Sequence, residues 1–228
     1  MKKLLILSLI AIFGAAQARA GDSHTSRADL VVRVETCEAI LRQFMASPAT
    51  AIPPSVWRNA RGLMILSQFK AGFIFGVKGG FGVLMVKKPG GHWSLPVLID
   101  ASEASLGLQL GAKDVDSVFI LNDDATPRLL FTNRFNIGVD AKAVAGPLSA
   151  ETENESTKTF VAPVFAYSRS VGLYAGATVK AGRVERNDPA NFTLYNTSYT
   201  MPELLYSEWV TPPTEVQPLM AYVQQLSP

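Results

Sequence analysis

The chain has 228 residues, 48% of them hydrophobic and 18% charged, with a formal net charge of +2. Such composition supports a substantial core, which excludes a disordered chain, and it lacks the basic footprint that indiscriminate nucleic-acid binding needs. One cysteine, Cys37, excludes an internal disulfide, and two histidines, His24 and His92, exclude a histidine-rich metal site.

In chain order, the first twenty residues read as a secretory leader: Lys2 and Lys3, an apolar run from Leu4 to Phe13, then Ala18-Arg19-Ala20. Cleavage after Ala20 removes three cations and no acid, so residues 21–228 carry −1 rather than +2. The expectation is an exported protein, periplasmic or associated with the envelope, with a polar leader over 21–27 and a single domain over 28–228. Leu30, Val34, Cys37, Leu41 and Phe44 then recur at three- and four-residue steps, which predicts an amphipathic helix with Cys37 as a small buried hydrophobe. Pro48, Pro53 and Pro54 end it, and Ser55 is placed to cap a short helix through Arg61 with Gly62 as its stop.

From Leu63 the period becomes two. Strands are predicted over Leu63–Phe69, Ala71–Lys78, Phe81–Lys88, His92–Asp100, Ser105–Gly111 and Ser117–Leu121, with Pro89-Gly90-Gly91 as a turn. Thr126-Pro127 opens a short helix to about Arg134, and strands follow over Asn136–Val144, Phe160–Arg169, Val171–Lys180 and Phe192–Tyr195. Ser149–Lys158 reads as an exposed loop. Thr200 with Glu203, and Thr214 with Gln217, have capping-box spacing, the second opening a helix over Glu215–Leu226. Helices at both ends of a run of strands predict an α+β fold, a curled antiparallel sheet, barrel- or sandwich-like, with the helices packed on it.

Three of the predicted strands share a G-x-x-x-G pattern: Gly72 with Gly76, Gly107 with Gly111, and Gly172 with Gly176. Glycine inside a strand costs entropy and contributes no packing, so these positions either let the sheet bend tightly or leave a bare face against which another body lies.

Catalysis finds little support. No serine sits in G-x-S-x-G, the glycines at 76, 79, 80 and 82 spell no phosphate loop, and Asp114/Asp116 and Asp123/Asp124 lie beside turns where solvated or capping roles are the default. No catalytic residue, cofactor or metal is expected, and a hydrolase stands third among the readings. Binding is better supported. Lys70, Lys78, Lys87, Lys88 and Arg169 could hold phosphate headgroups, with Phe73 and Trp93 as apolar partners for acyl chains. Solvated strand ends and core aromatics account for the same residues, and the competing reading is an envelope scaffold whose bare face receives a protein segment.

Several segments in order resemble the SYLF domain family: Ala60–Leu66 (ARGLMIL), Lys70–Phe73 (KAGF), Trp93–Pro96 (WSLP), Gly107–Gly111 (GLQLG), Gly138–Ala141 (GVDA) with Ala145–Pro147 (AGP), and Tyr167–Gly176 (YSRSVGLYAG). Asp188, Asn191 and Tyr195 complete the pattern, which runs from about Leu41 to the C-terminus. The resemblance implies a non-enzymatic domain that binds membrane phospholipids, phosphoinositides in animal members, with actin binding added in fungal ones. This chain departs in its first helix, where two arginines face Glu35 and Glu38 instead of a basic stripe, and in Lys180-Ala181-Gly182, where the family often has an acid before the glycine. Export argues against actin as its native partner.

Overall fold

The computed structural model describes residues 25–48, 50–72, 75–106, 111–132, 134–136, 143–145, 162–172 and 183–228. Helix α1 (Arg27–Met45) forms where the apolar stripe predicts it, and Leu30, Val34, Cys37, Leu41 and Phe44 are all buried, with Ile40 beside them. A reciprocal capping box opens it: the Asp29 amide donates to Ser26 Oγ at 3.2 Å, and the Ser26 amide donates to Asp29 Oδ2 at 3.1 Å. Such a cap stabilises a helix by roughly 1 kcal/mol. Burial holds the Cys37 thiol far above its ordinary range, as expected of a packing residue. Helix α2 (Pro54–Asn59) is shorter than predicted. Pro53 stands at its N-cap, Ser55 makes no capping bond, and Gly62 opens the first strand instead of ending the helix.

The described strands form one eight-stranded sheet. They are β1 (Gly62–Gly72), β2 (Phe75–Val86), β3 (Val97–Leu106), β4 (Gly111–Leu121), β5 (Arg134–Asn136), β6 (Ala143–Ala145), β7 (Val164–Gly172) and β8 (Arg183–Arg186). Their order is β5-β8-β3-β2-β1-β4-β7-β6, antiparallel throughout except for the β6–β7 pair. A curled antiparallel sheet with helices at both chain ends is therefore the architecture. Central strand β1 is buried on both faces: Leu63 and Ile65 on one side, Met64 and Leu66 on the other, have no exposed surface. Helix α1 packs on the first of these faces, and one hydrophobic core joins helices and sheet.

Several predicted strand limits are corrected. Three strands between Leu63 and Lys88 are in fact two, paired without a break from Gly62↔Val86 to Gly72↔Gly76. Gly79 and Gly80 suggest an interruption, yet both lie inside β2. A Cβ on Gly80 would stand 2.3 Å from the Ser67 carbonyl oxygen, and one on Gly82 2.1 Å from that of Ile65. These glycines exist because β1 comes too close for any side chain. Of the segment Ser105–Gly111, the first two residues end β3, Gly111 opens β4, and 107–110 lie outside the described residues. The same holds for the loop at 149–158 and for 173–180; of the predicted strand Asn136–Val144, Asn136 ends β5, Ala143 and Val144 lie in β6, and 137–142 lie outside the described residues.

The predicted strand Phe192–Tyr195 is the end of helix α3 (Asp188–Tyr195). Asn187 is its N-cap, accepting from the Ala190 amide at 3.0 Å, and Pro189 fits the first turn, so the Asn-Asp-Pro run is a helix start and not merely a turn. Helix α4 (Met201–Tyr206) carries the Thr200–Glu203 capping box as predicted. Helix α5 (Gln217–Leu226) starts two residues later than predicted: Val216 is its N-cap, and Thr214 bonds Glu215 rather than closing a box with Gln217. Thr126–Thr132 is a short 3-10 helix.

Candidate functional site

In an antiparallel sheet, cross-strand partners share a face and every second residue returns to it. Five successive rows on the face away from α1 can thus be read from the register. The first, Val97, Leu84, Met64, Phe119 and Ala166, is apolar and buried. The second is Ile99, Gly82, Leu66, Ser117 and Ser168, in which the two serine hydroxyls bond each other at 2.9 Å. The third is Ala101, Gly80, Gln68, Val115 and Ser170.

The fourth row changes character. Lys78, Lys70 and Lys113 are direct partners on β2, β1 and β4, flanked by Glu103 on β3 and Gly172 on β7. The fifth places Gly76, Gly72 and Gly111 side by side, with Ser105 beyond Gly76. One face of the sheet therefore runs from apolar to cationic to bare. Like charges directly opposite each other destabilise a sheet, and Glu103, opposite Lys78, is the one acid the register places in this row. Lys113 escapes a reading by sequence because nothing near it hints at its partners; only the β1–β4 register brings it into line.

The opposite face has a different chemistry. Asp100, Phe81, Ser67, Asp116 and Arg169 form one row across five strands, and α1 lies over it. The Arg33 guanidinium stands 5.3 Å from the Phe81 ring centre and 3.7 Å from Asp100. Arg169 donates from Nη2 to Asp116 Oδ2 at 2.8 Å and to Gln43 of α1, with its guanidinium over the Phe44 ring. These contacts tie α1 to the sheet.

The seven residues singled out from the sequence consequently separate. Lys70 and Lys78 join the cationic row, while Phe73 lies outside the described residues. Arg169 sits on the other face, engaged by Asp116 and α1. Lys87, Lys88 and Trp93 stand at the far end of the sheet. Lys87 Nζ donates to the Pro228 carbonyl at 2.6 Å, and Lys88 Nζ to the Ser207 carbonyl at 2.6 Å and to Glu208 at 2.8 Å. Trp93 is a core residue at 4% exposure, its indole N–H donating to the Ser227 carbonyl at 2.9 Å. Burial removes it from any surface an acyl chain could reach.

The motif residues after β8 also have structural work. The Asn191 side chain is buried and mimics a strand neighbour, accepting from the Leu98 amide at 2.8 Å and donating to the Leu98 carbonyl at 3.0 Å. Tyr195 donates its hydroxyl to the Pro96 carbonyl at 2.6 Å, and burial raises its pKa well above the ordinary phenol value. Together they dock α3 on the start of β3. Among the described residues no group of three or more His, Cys, Asp or Glu could hold a metal, and no helix is long and apolar enough to cross a membrane.

Comparison with known proteins agrees on one kinship. A family model described as "Ysc84: Las17-binding protein actin regulator" matches residues 102–226. The chain is similar to LAS seventeen-binding protein 3 of Saccharomyces cerevisiae, 36% identical over 176 residues, which is 76% of this chain and 38% of that protein. It is also similar to SH3 domain-containing YSC84-like protein 1 of Xenopus laevis, 31% identical over 187 residues, covering 79% of this chain and 56% of the relative. The human protein of that name is 30% identical over 179 residues, with 76% and 52% covered. The chain thus spans between 38% and 56% of the length of these relatives.

Proposed function

The chain belongs to the Ysc84, or SYLF, family, and from that premise we propose that it is a non-enzymatic, exported phospholipid-binding domain. The observation that carries this reading is the row of Lys70, Lys78 and Lys113, set beside the row of Gly72, Gly76 and Gly111 on the same face. Three lysines against the single acid Glu103 make this row positive by register, and the adjacent row of glycines would let a headgroup or a membrane surface approach the backbone closely. Near an anionic bilayer each lysine contributes about 1 kcal/mol. A phosphate-bearing surface fits better than a nucleic acid, because residues 21–228 carry −1 overall.

Flotation of residues 21–228 with vesicles tests the proposal. Folded protein should rise with phosphatidylglycerol-containing vesicles at low salt, release at high salt, and stay behind with pure phosphatidylcholine. Folded protein that floats with neither contradicts it.

A second reading, a domain that receives a protein partner, is favoured by the family description and by the Las17-binding name of the yeast relatives. Co-sedimentation with filamentous actin discriminates: pelleting with filaments, together with failure to float, favours it over the lipid reading.

A further inference from the structure

The two edges of the sheet are joined by a chain too short for a flat one. Strands β5 and β6 stand at opposite ends of the strand order, seven interstrand steps apart, which is about 34 Å at about 4.8 Å per step. Followed through the register, Asn136 of β5 lies level with Phe69 of β1 and Ala143 of β6 level with Gly62, an offset of about 23 Å along the strands. In the plane of the sheet these two residues are thus about 40 Å apart. Six residues, 137–142, connect them, and such a link reaches about 25 Å at full extension. The sheet must therefore curl until its edges approach each other.

The helices show which face is concave. A sheet of eight strands curling toward closure has room inside for side chains but not for a helix. Helix α1 lies on the face of Asp116 and Arg169 and is itself covered by α3 and α5: Arg27 donates to the Leu194 carbonyl at 3.1 Å, and the Arg42 guanidinium stands 4.0 Å from the Tyr222 ring centre. This layer marks the outer face. The inner face is the other one, where Met64, Leu66, Leu84 and Phe119 are fully buried. Lys70, Lys78 and Lys113 consequently belong to the inner face, near the end where the row of Gly72, Gly76 and Gly111 follows them. On their other side Ala101, Gln68 and Val115 form a buried floor.

We propose that this end of the sheet is a cup for one phosphomonoester group, which enters end-on past the glycine row. The inference deepens the function proposed above and rests on its lysine row. Two features choose the ligand. Three lysines and Glu103 leave two positive charges by register, which match the near-dianion of a phosphomonoester better than the single charge of a phosphodiester. A monoester is also a terminal group, so it reaches the floor with the rest of its molecule outside, whereas the phosphate of a diester is flanked on both sides. Because that floor is buried, the cup ends there and recognises the phosphate, not an acyl chain. A lipid headgroup and a free phosphomonoester present the same chemistry.

Calorimetric titration of residues 21–228 tests this with three soluble probes: glycerol 3-phosphate, dihexanoyl phosphatidic acid and dihexanoyl phosphatidylglycerol, the lipids kept below their micelle concentrations. Both monoesters should bind saturably and one-to-one, and the phosphatidylglycerol several-fold more weakly. Equal affinity of the two monoesters supports a free phosphomonoester as the ligand; tighter phosphatidic acid supports the headgroup. Glu103→Gln should tighten monoester binding several-fold, and Lys70→Gln/Lys78→Gln/Lys113→Gln should abolish it with an unchanged circular dichroism spectrum. Saturable binding of none of the probes, equal affinity for monoester and diester, or unchanged affinity in Glu103→Gln overturns the proposal. Flotation is read separately. Flotation with anionic vesicles but no probe binding rejects the cup and leaves the lipid reading; probe binding without flotation rejects the membrane reading and leaves the cup.

Discussion

The two ends of the hairpin β1–β2 are made by the same strands and solve opposite problems. At one end, Gly62 and Val86 are partners, and the strand exits are clasped by the chain's last residues: Lys87 and Trp93 hold Ser227 and Pro228, and Ser227 Oγ donates to the Trp57 carbonyl at 2.7 Å. Lys87 and Lys88 there both have partners from other elements. At the other end, Gly72 and Gly76 are partners, and Lys70 and Lys78 face each other with Lys113 alongside. One end ties two lysines to other elements; the other sets three lysines in one row of the register. The comparison teaches that a lysine's meaning lies in its register, since Lys78 and Lys88 look alike in sequence, yet Lys78 is set opposite Lys70 and Glu103 while Lys88 bonds Ser207 and Glu208.

The largest effect should come from the clasped end. Trp93→Ala removes a buried indole and its hydrogen bond, and should cost about 3–5 kcal/mol, measured by urea unfolding. Vesicle binding by the fraction that remains folded should be unchanged. Loss of binding in a folded Trp93→Ala protein would break the separation between the ends.

Within β2, the glycines sharpen it further. Gly82→Ala forces a methyl to 2.1 Å from the Ile65 carbonyl oxygen and should cost about 1–3 kcal/mol. Gly79→Ala, whose Cβ meets nothing within 4 Å, should fall within about 0.5 kcal/mol of the parent. Equal costs at the two positions would mean that the close approach of β1 and β2 is not what selects glycine.

At the open end, stability and binding should move in opposite directions. Lys113→Gln removes one like-charge neighbour from the row and should raise stability by a few tenths of a kcal/mol at low salt. Binding to anionic vesicles should weaken about five-fold, the equivalent of about 1 kcal/mol. A variant that loses stability and binding together would mark Lys113 as a structural residue.

The smallest effect is a pH dependence. Arg27 bonds Glu215 at 2.7 Å and holds its carboxyl down at about 2, below the ordinary 4.5. A depressed carboxylate stabilises the fold above its unfolded pKa, and that contribution fades as pH falls from about 4.5 to about 2. The pair is exposed, so the effect is slight. Glu215→Gln should flatten the corresponding slope in a melting-temperature profile, and an unaltered slope would remove the pair from the account.

What was legible beforehand follows from how local each cause is. The α1 stripe, the turn at Gly90 and Gly91, and the Thr200–Glu203 cap depend on residues a few positions apart, and all three are found. Helix α3 is not legible locally because Asn187-Asp188-Pro189 satisfies both a turn and a helix start, and the choice is made by Asn191 binding Leu98 across 93 residues. The hairpin limits are not legible locally because Gly80 reports the nearness of β1, which no window around Gly80 contains. Of the candidate site, Lys70, Lys78 and the glycines were legible as types, but their alignment and the role of Lys113 are properties of pairing alone.

The most direct measurement is a binding titration of residues 21–228 with phosphatidylglycerol vesicles, comparing the parent, the triple variant Lys70→Gln/Lys78→Gln/Lys113→Gln, and the single variant Lys87→Gln from the clasped end. The account predicts a loss of at least about 100-fold for the triple variant, given about 1 kcal/mol per lysine, and parental affinity for Lys87→Gln. Equal affinity of the folded triple variant and the parent would contradict it.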